Sequence, residues 1–225
     1  MSQPEWMFDF ELNATVAAGK QRFTLDAVCQ SKARCLAIVG SSGAGKSLTL
    51  RVLAGLEKPT KSRICINGIC YSDNTHSLPT QQRQVGLVFQ DYALFPHLTV
   101  TQNIAFGLHQ GLLNPRQTPD ADTAYWLHRM QLESVATHYP RQLSGGQRQR
   151  TALARACITR PRWLLLDEPF SALDQALRQD MRRLIHDLQT ELAVPMLLIS
   201  HDEADIAHLA DEVALIQNGL LRHPR

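Results

Sequence analysis

The fold of this 225-residue chain is decided by the stretch Gly40-Ser41-Ser42-Gly43-Ala44-Gly45-Lys46-Ser47. This is the pattern G-x-x-x-x-G-K-[ST], whose glycines let the backbone bend so that successive N–H groups point at phosphate oxygens. The apolar residues 35–39 predict a buried strand before it, and residues 48–56 predict a helix after it, with a partly positive N-terminus. Because all eight positions lie between a strand and a helix, the stretch predicts a nucleotide site in preference to a glycine-rich turn without a ligand.

The positions of this phosphate loop (residues 40–47) have distinct expected roles. Lys46 would reach the β- and γ-phosphates, and the hydroxyl of Ser47 would ligate Mg²⁺. Nucleotide-binding residues are predicted at Gly40, Ser41, Ser42, Gly43, Ala44, Gly45, Lys46, Ser47 and Leu48.

The composition is that of a soluble globular protein, with 44% hydrophobic and 20% charged residues. A net charge of +2 without a concentrated basic face argues against a nucleic-acid partner. No apolar stretch approaches the roughly 18 residues of a membrane span, and residues 1–12 lack the apolar run of a signal peptide. The cysteines at positions 29, 35, 65, 70 and 157 show no Cys-x-x-Cys spacing. They are therefore predicted to be small buried hydrophobic residues in the cytosol, not disulfides or zinc ligands.

The first half of the chain is predicted to be rich in strands. Alternating apolar residues at 8–12 and 23–27, with a Gly19-Lys20 turn between them, predict a small antiparallel sheet. Residues 64–69 predict a strand interrupted by an Asn67-Gly68 turn, and residues 85–89 predict a strand in the interior of the sheet.

The later segments add helices and further strands. Residues 91–139 are predicted to be helical, with an exposed loop at 108–120 and a helix that packs Trp126, Leu127 and Met130 inside a subdomain. Strands are predicted at 163–166 and 195–199, and a last strand at 213–216. Between the first two, one face of a long helix is formed by Leu177, Met181, Leu184, Leu188 and Leu192.

This order predicts an α/β fold, because strands and helices alternate after a phosphate loop. The fold would be a P-loop NTPase core with a mostly parallel sheet, an N-terminal antiparallel β-subdomain and an inserted helical subdomain. We expect a single domain over 1–225, with the core at 1–90 and 151–225 and the helical subdomain at about 91–150.

Two carboxylates, Asp167 and Glu168, follow the apolar run 163–166. A buried parallel strand explains the apolar run but not two acids at its carboxyl end, where ligands bind in such sheets. Asp167 would hold Mg²⁺ through its water shell, and Glu168 would act as general base on the attacking water. The alternative is a solvated strand end without a function.

A second predicted anion site lies at Leu143-Ser144-Gly145-Gly146-Gln147. Ser144 is a good N-cap for a helix over 147–158, and the two glycines expose backbone N–H groups at its N-terminus. The alternative is a capped helix after a flexible turn.

Together these motifs resemble the ATP-binding subunit of an ABC transporter over essentially the whole chain. In the family's order the sequence carries the phosphate loop, Gln90, the Leu143–Gln147 signature, Asp167-Glu168, Ser171-Ala172-Leu173-Asp174 and His201. The resemblance implies hydrolysis of Mg·ATP by two copies that pack head to tail around two ATP molecules. Each ATP would be held by the phosphate loop of one subunit and by the signature of the other, at Ser144, Gly145, Gly146 and Gln147.

The resemblance also assigns roles to isolated polar residues. Gln90 would touch Mg²⁺ or the attacking water, and His201 would contact the γ-phosphate. Asp174 would reach the partner's phosphate loop, with an N-cap of the following helix as its competing role. The implied catalytic residues are Glu168, His201, Gln90 and Lys46, and the implied metal ligands are Ser47, Gln90 and Asp167.

One departure from the family concerns adenine. Members commonly carry an aromatic residue about two dozen positions before the phosphate loop, where this chain reads Asn13-Ala14-Thr15-Val16-Ala17-Ala18. Phe23 lies later and fits the strand alternation. The family's stacking on adenine is therefore not assigned to any residue here, and we expect weak nucleotide affinity or weak base selectivity.

The segment 90–100 resembles that of bacterial importer ATPases, in which the surrounding surface receives a short helix of the permease. Exposed Tyr92 and Phe95 would suit such a groove, although the core of a helical subdomain is an equally ordinary use. The implied partners are a second copy, transmembrane permease subunits and, indirectly, an extracytoplasmic solute-binding protein. The chain would be peripheral, at the cytoplasmic face of the inner membrane.

The cargo is the least determined part of the resemblance. Among importers, the sequence is most similar to the molybdate-type group, with thiamine, ferric iron and polyamines as alternative cargoes. A soluble ABC ATPase acting on DNA or ribosomes is the alternative class.

Overall fold

The computed structural model describes residues 6–18, 21–73, 75–109, 113–171 and 173–223. Within those residues the strands are β1 (Phe8–Ala18), β2 (Gln21–Ser31), β3 (Cys35–Val39), β4 (Lys61–Ile66), β5 (Ile69–Ser72), β6 (Val85–Val88), β7 (Trp163–Asp167), β8 (Met196–Ile199), β9 (Glu212–Gln217) and β10 (Leu220–Arg222). The α-helices are α1 (Lys46–Ala54), α2 (Val100–Ala105), α3 (Ala121–Arg129), α4 (Gly145–Cys157), α5 (Gln175–Leu192) and α6 (Glu203–Leu209).

The strands form one sheet in the order β5-β4-β1-β2-β10-β9-β3-β8-β7-β6. The β9-β3-β8-β7-β6 half is parallel throughout, and the β5-β4-β1-β2 half is antiparallel. Strand β10 joins the halves, because it runs parallel to β2 and antiparallel to β9. The predicted α/β class, with a parallel core and an N-terminal antiparallel part, is confirmed. The predicted Gly19-Lys20 turn lies outside the described residues.

Two apolar cores hold these layers together. The first packs α1 against the antiparallel strands and one face of the parallel ones, around Phe8, Phe10 and Leu50. The second core lies on the other face of the parallel strands and joins α2, α3, α4 and α5. Trp126, Leu127 and Met130 are buried in it, as predicted. On α5, Met181 and Leu188 are fully buried, while Leu177, Leu184 and Leu192 pack at the edge of the same core.

Two predictions about strands are wrong. The strand over 213–216 is not the last, since the Asn218-Gly219 turn leads into β10, which has only three residues. Strand β6, expected in the interior, lies at the edge of the sheet among the described strands. Its apolar character has another cause: Val88 is buried in the second core, while Val85 and Leu87 line a surface cleft.

The prediction for the cysteines is wrong for two of the five. The Asn67-Gly68 turn makes Cys65 and Cys70 direct cross-strand neighbours on β4 and β5, and they form a disulfide. Cys29, Cys35 and Cys157 are buried free thiols, as predicted. Burial raises the pKa of each of these three thiols to about 12, so they are poor nucleophiles.

Candidate nucleotide site

The phosphate loop connects β3 to α1 at the carboxyl edge of the parallel strands. Its backbone needs glycine at two positions, because φ is +77° at Gly43 and +107° at Gly45. Gly45 is the N-cap of α1 and offers no side chain, so the first N–H groups of the helix have no side-chain cap. An uncapped helix N-terminus below a glycine-rich bend suits an anion.

Lys46 is buried inside this loop. Its ammonium group donates hydrogen bonds to the carbonyl oxygens of Gly40, at 2.8 Å, and Ser41, at 3.0 Å. The charge is therefore held within the bend that would receive an anion, where the N–H of Ala44 already donates to the carbonyl oxygen of Ser41 at 3.2 Å. Leu48, also predicted to bind nucleotide, packs its side chain against the first core, which leaves its backbone N–H as its polar group.

The oxygen atoms predicted to bind metal meet at the end of β7. Ser47 Oγ donates to Asp167 Oδ1 at 3.2 Å. Burial raises the pKa of the Asp167 carboxyl above its usual value, and the nearby charge of Glu168 raises it further. The hydrogen bond from Ser47 lowers this pKa but does not cancel the effect of burial. A hydroxyl and a carboxylate are the hard oxygen ligands that Mg²⁺ prefers, together with water and substrate phosphates. This donor set fits Mg²⁺, and no group of three or more His, Cys, Asp or Glu side chains suited to a metal occurs among the described residues.

Glu168 lies directly beyond β7, with its backbone in the left-handed region at φ 44°. One carboxylate oxygen accepts a hydrogen bond from Gln90 Nε2 at 3.2 Å, and the other lies 3.5 Å from His201 Nδ1. The three residues meet because β6, β7 and β8 are parallel neighbours and each residue follows one of them. A carboxylate held from both sides in a rare backbone conformation suits a general base.

The signature residues lie at the start of α4 and not in this cluster. Ser144 Oγ accepts from the N–H of Gln147, whose side chain accepts from the N–H of Ser144. Asp174 is likewise the N-cap of α5, because its carboxylate accepts a hydrogen bond from the N–H of Leu177 at 3.0 Å. The N-cap role considered for Asp174 as an alternative is therefore present. No hydrogen bond or ion pair between described residues joins Ser144, Gly145 or Asp174 to the cluster around Lys46 and Glu168.

The starts of α4 and α5 are in contact. A methyl group built on Gly146 would lie 2.6 Å from Leu177 Cδ2, so a larger residue would have to displace the Leu177 side chain on the first turn of α5. Gly146 therefore serves the packing of these two helices as well as any ligand.

Phe23 was set aside on its position in the sequence, yet its ring lies beside the phosphate loop. A methyl group built on Gly45 would lie 3.0 Å from Phe23 Cζ. Phe23 pairs with Val16 across the β1–β2 hairpin. The hairpin register was the missing signal, because it brings Phe23 beside a stretch that carries no aromatic residue of its own.

Two surface clefts lie beside Phe89, the residue that follows β6. One, of about 670 Å³, adjoins the site and is lined by Ser47, Arg51, Phe89, Gln90, Asp167 and others. The second, of about 390 Å³, is more apolar and is lined by Phe89, Phe95, Phe106 and Arg155. Tyr92 is buried in the core and not exposed, so for this residue the core alternative was correct.

No helix among the described residues combines the length and apolarity needed to cross a bilayer.

Comparisons with known proteins agree with the motifs. The family model described as ABC transporter matches residues 27–171.

Three curated relatives show the range of named functions. A probable sulfate/thiosulfate import ATP-binding protein of Chlorella vulgaris is 46% identical over 186 residues, which cover 81% of this chain and 75% of the relative. An Fe(3+) ions import ATP-binding protein of Pseudomonas fluorescens is 46% identical over 200 residues, covering 84% and 55%. A spermidine/putrescine import ATP-binding protein of Frankia alni is 43% identical over 182 residues, covering 81% and 38%. Apart from the first, the chain spans about half or less of these relatives.

The fold has close counterparts among solved structures. The dimeric ATP-binding cassette MJ0796, in a post-hydrolysis state with ADP and Pi, matches with a TM-score of 0.80 and 26% identity over 96% of this chain and 97% of that one. A second dimeric structure of the same cassette matches with a TM-score of 0.79. Together with the loop and carboxylate geometry, the family match shows that this chain belongs to the ABC transporter family and forms its ATP-binding cassette.

Proposed function

We propose that this chain is the ATP-hydrolysing subunit of an importer and works at the cytoplasmic face of the inner membrane. The observation that carries the proposal is the Glu168 carboxylate, held between Gln90 and His201 beside the Ser47–Asp167 pair. The relatives support the transport role, because each is named as an import ATP-binding protein.

Each residue of the nucleotide site would have a separate role in ATP hydrolysis. The loop N–H groups and the Lys46 ammonium would bind the phosphates of ATP. Ser47 and Asp167 would hold Mg²⁺, with Gln90 near it; when bound, the ion neutralises phosphate charge. Glu168 would take a proton from the water that attacks the γ-phosphorus while the bond to the β–γ bridging oxygen breaks. Gln90 and His201 would hold the carboxylate, and His201 would contact the γ-phosphate. Phe23 would place its ring against the nucleotide above Gly45.

We propose further that each site is completed by a second copy of the chain. The start of α4 would bind an anion through Ser144, Gly145, Gly146 and Gln147. No hydrogen bond between described residues joins these four to the cluster in their own subunit. Asp174, at the start of the adjoining helix, would face the partner as well. The dimeric form of the matched cassette supports this arrangement.

Ser144→Arg is expected to prevent ATP-dependent dimer formation and to leave ATP binding by the monomer within about twofold of wild type. A long side chain would fill the space of the γ-phosphate at the helix end, while the phosphate loop is untouched. Light scattering with and without Mg·ATP, in the non-hydrolysing Glu168→Gln background, measures the dimer.

Two further variants sharpen this test. Ser144→Asp keeps an N-cap but places a negative charge against phosphate, so it should fold normally and also fail to dimerise. Thr118→Arg adds the same side chain at an exposed position and should dimerise. A dimer that still forms with both Ser144 variants would contradict the role of the signature.

The permease would dock at the second cleft. Phe89, Phe95 and Phe106 offer an apolar floor, and Arg155 borders it while donating to the carbonyl oxygens of Tyr92 and Ala93. A short helix of a transmembrane subunit fits such a groove. That subunit would receive cargo from an extracytoplasmic solute-binding protein.

For cargo we propose a tetrahedral oxyanion, sulfate or molybdate. The sulfate/thiosulfate names among the relatives and the molybdate-type resemblance of the sequence support this class, and the ferric iron and polyamine names mark the alternatives.

Deleting the gene is expected to lower uptake of labelled sulfate, or cellular molybdenum at limiting molybdate, at least about tenfold. Wild type and the control Glu11→Gln should restore it, and Glu168→Gln should not. If both oxyanions enter normally and iron or polyamine uptake falls instead, the oxyanion assignment is wrong.

A further inference from the structure

An ionic cluster outside the nucleotide site surrounds the segment that carries His201. Two arginines one turn apart on α5, Arg178 and Arg182, bind two carboxylates that follow His201, Asp202 and Asp205. Arg182 Nε donates to Asp205 Oδ1 at 2.6 Å, and Arg182 Nη2 lies 3.4 Å from Asp202 Oδ1. Arg178 Nη1 donates to Asp202 Oδ2.

The ion pair between Arg182 and Asp205 is largely buried, which is unusual for charged side chains. The side chains are 14% and 3% exposed, respectively. Exposed ion pairs contribute little, but a buried one leaves an uncompensated charge when a single partner is removed. The cluster is therefore expected to keep a fixed geometry.

This geometry reaches the backbone on both sides of His201. Asp205 Oδ2 accepts a hydrogen bond from Ser200 Oγ at 3.1 Å, and the same Ser200 Oγ accepts from the N–H of Asp202 at 3.1 Å. The positions before and after His201 are thus tied to Asp205, and through it to α5.

His201 itself has little to hold it. Its side chain is 67% exposed, and its recorded polar contact among the described residues is Glu168 at 3.5 Å. The place of the imidazole is therefore set by the backbone that carries it.

We propose that Arg182, with Arg178, is a positioning residue for hydrolysis: it clamps the segment 200–202 so that His201 meets Glu168 and the γ-phosphate. The inference deepens the proposed function and rests on the role given there to His201. Among the described residues neither arginine forms a hydrogen bond or ion pair with the phosphate loop or with Glu168, so their contribution would pass through the histidine.

Arg182→Met is expected to lower kcat for ATP by about 10- to 100-fold, because displacing a reacting group slightly is costly. The KM for ATP should stay within about twofold, since the phosphate loop is unchanged. Introduced into a His201→Ala protein, the same substitution should lower kcat less than about twofold further. Arg182→Lys should recover part of the loss. Steady-state kinetics on the full chain with Mg·ATP measure the four variants and wild type.

A merely structural role would give a different pattern. Arg182→Met would then lower kcat by the same factor with and without His201, which would overturn the inference. If Arg182→Met fails to fold, the pair Arg182→Met with Asp205→Leu leaves no unpaired charge and takes its place in the same cycle. Full activity of this folded pair would also overturn the clamp.

The proposed function fails in a distinguishable way. Absence of hydrolysis by wild type, or normal hydrolysis by His201→Ala, would remove the catalytic assignment and the clamp with it. An active wild type that depends on His201, combined with additive losses, would overturn the clamp alone.

Discussion

Glu168→Gln is expected to bind Mg·ATP as tightly as wild type and to hydrolyse it on the order of 1,000-fold more slowly. Glutamine keeps the shape of the side chain and can still be held by Gln90 and His201, but it does not accept the proton of the attacking water. The carboxylate lies where both of its oxygens are already engaged, at 3.2 Å and 3.5 Å. The neighbouring carboxylate of Asp167 is not expected to replace it, because Asp167 accepts a hydrogen bond from Ser47.

Single-turnover hydrolysis and equilibrium binding of ATP separate the two effects. Glu11→Gln removes an exposed carboxylate on β1 and should behave as wild type in both. Closed dimers should accumulate in Glu168→Gln with ATP, because the step that reopens them is blocked. Hydrolysis within tenfold of wild type would exclude Glu168 as the general base.

Lys46→Ala is expected to weaken ATP binding about 100-fold, the scale of losing a charge-assisted hydrogen bond to phosphate. The effect should exceed that of any other lysine, since Lys46 is 8% exposed and is fixed in the bend by Gly40 and Ser41. Removing the side chain also leaves those two carbonyl oxygens without the ammonium group, so the loop itself should become less ordered.

Titration calorimetry with Mg·ATP measures the affinity, and the melting temperature without nucleotide reports on the fold. Lys58→Ala, at an exposed position after α1, is the matched control and should bind normally. Tight binding by Lys46→Ala would mean that backbone N–H groups alone hold the phosphates.

The parts of the site that follow local rules could be predicted from the sequence. The eight-residue loop, the carboxylates at the end of β7 and the N-cap Ser144 each depend on neighbours within a few positions. The meeting of Gln90, Glu168 and His201 was also predictable, because residues that follow parallel strands collect at one edge of a sheet.

What the sequence did not reveal depends on register and on distant pairs. The disulfide requires Cys65 and Cys70 to be opposite each other, and the place of Phe23 requires the pairing of β1 with β2. Strand β10 was missed because three residues carry too little alternation to be recognised. The clamp joins α5 to residues 20 to 24 positions later, and no local pattern relates arginines on one helix to aspartates beyond the next strand.

The turn between β9 and β10 is hydrogen-bonded to the phosphate loop. The N–H of Gly219 donates to the carbonyl oxygen of Ala44 at 2.9 Å, and its own carbonyl oxygen accepts from Asp26 at 2.7 Å. A displacement of the loop therefore moves the start of β10, where the side chain of Leu220 is about half exposed. With three thiols unreactive through burial and the other two cysteines joined, a single cysteine placed at position 220 would accept a fluorescent dye selectively. The chain thus offers a natural attachment point for an optical reporter of nucleotide occupancy.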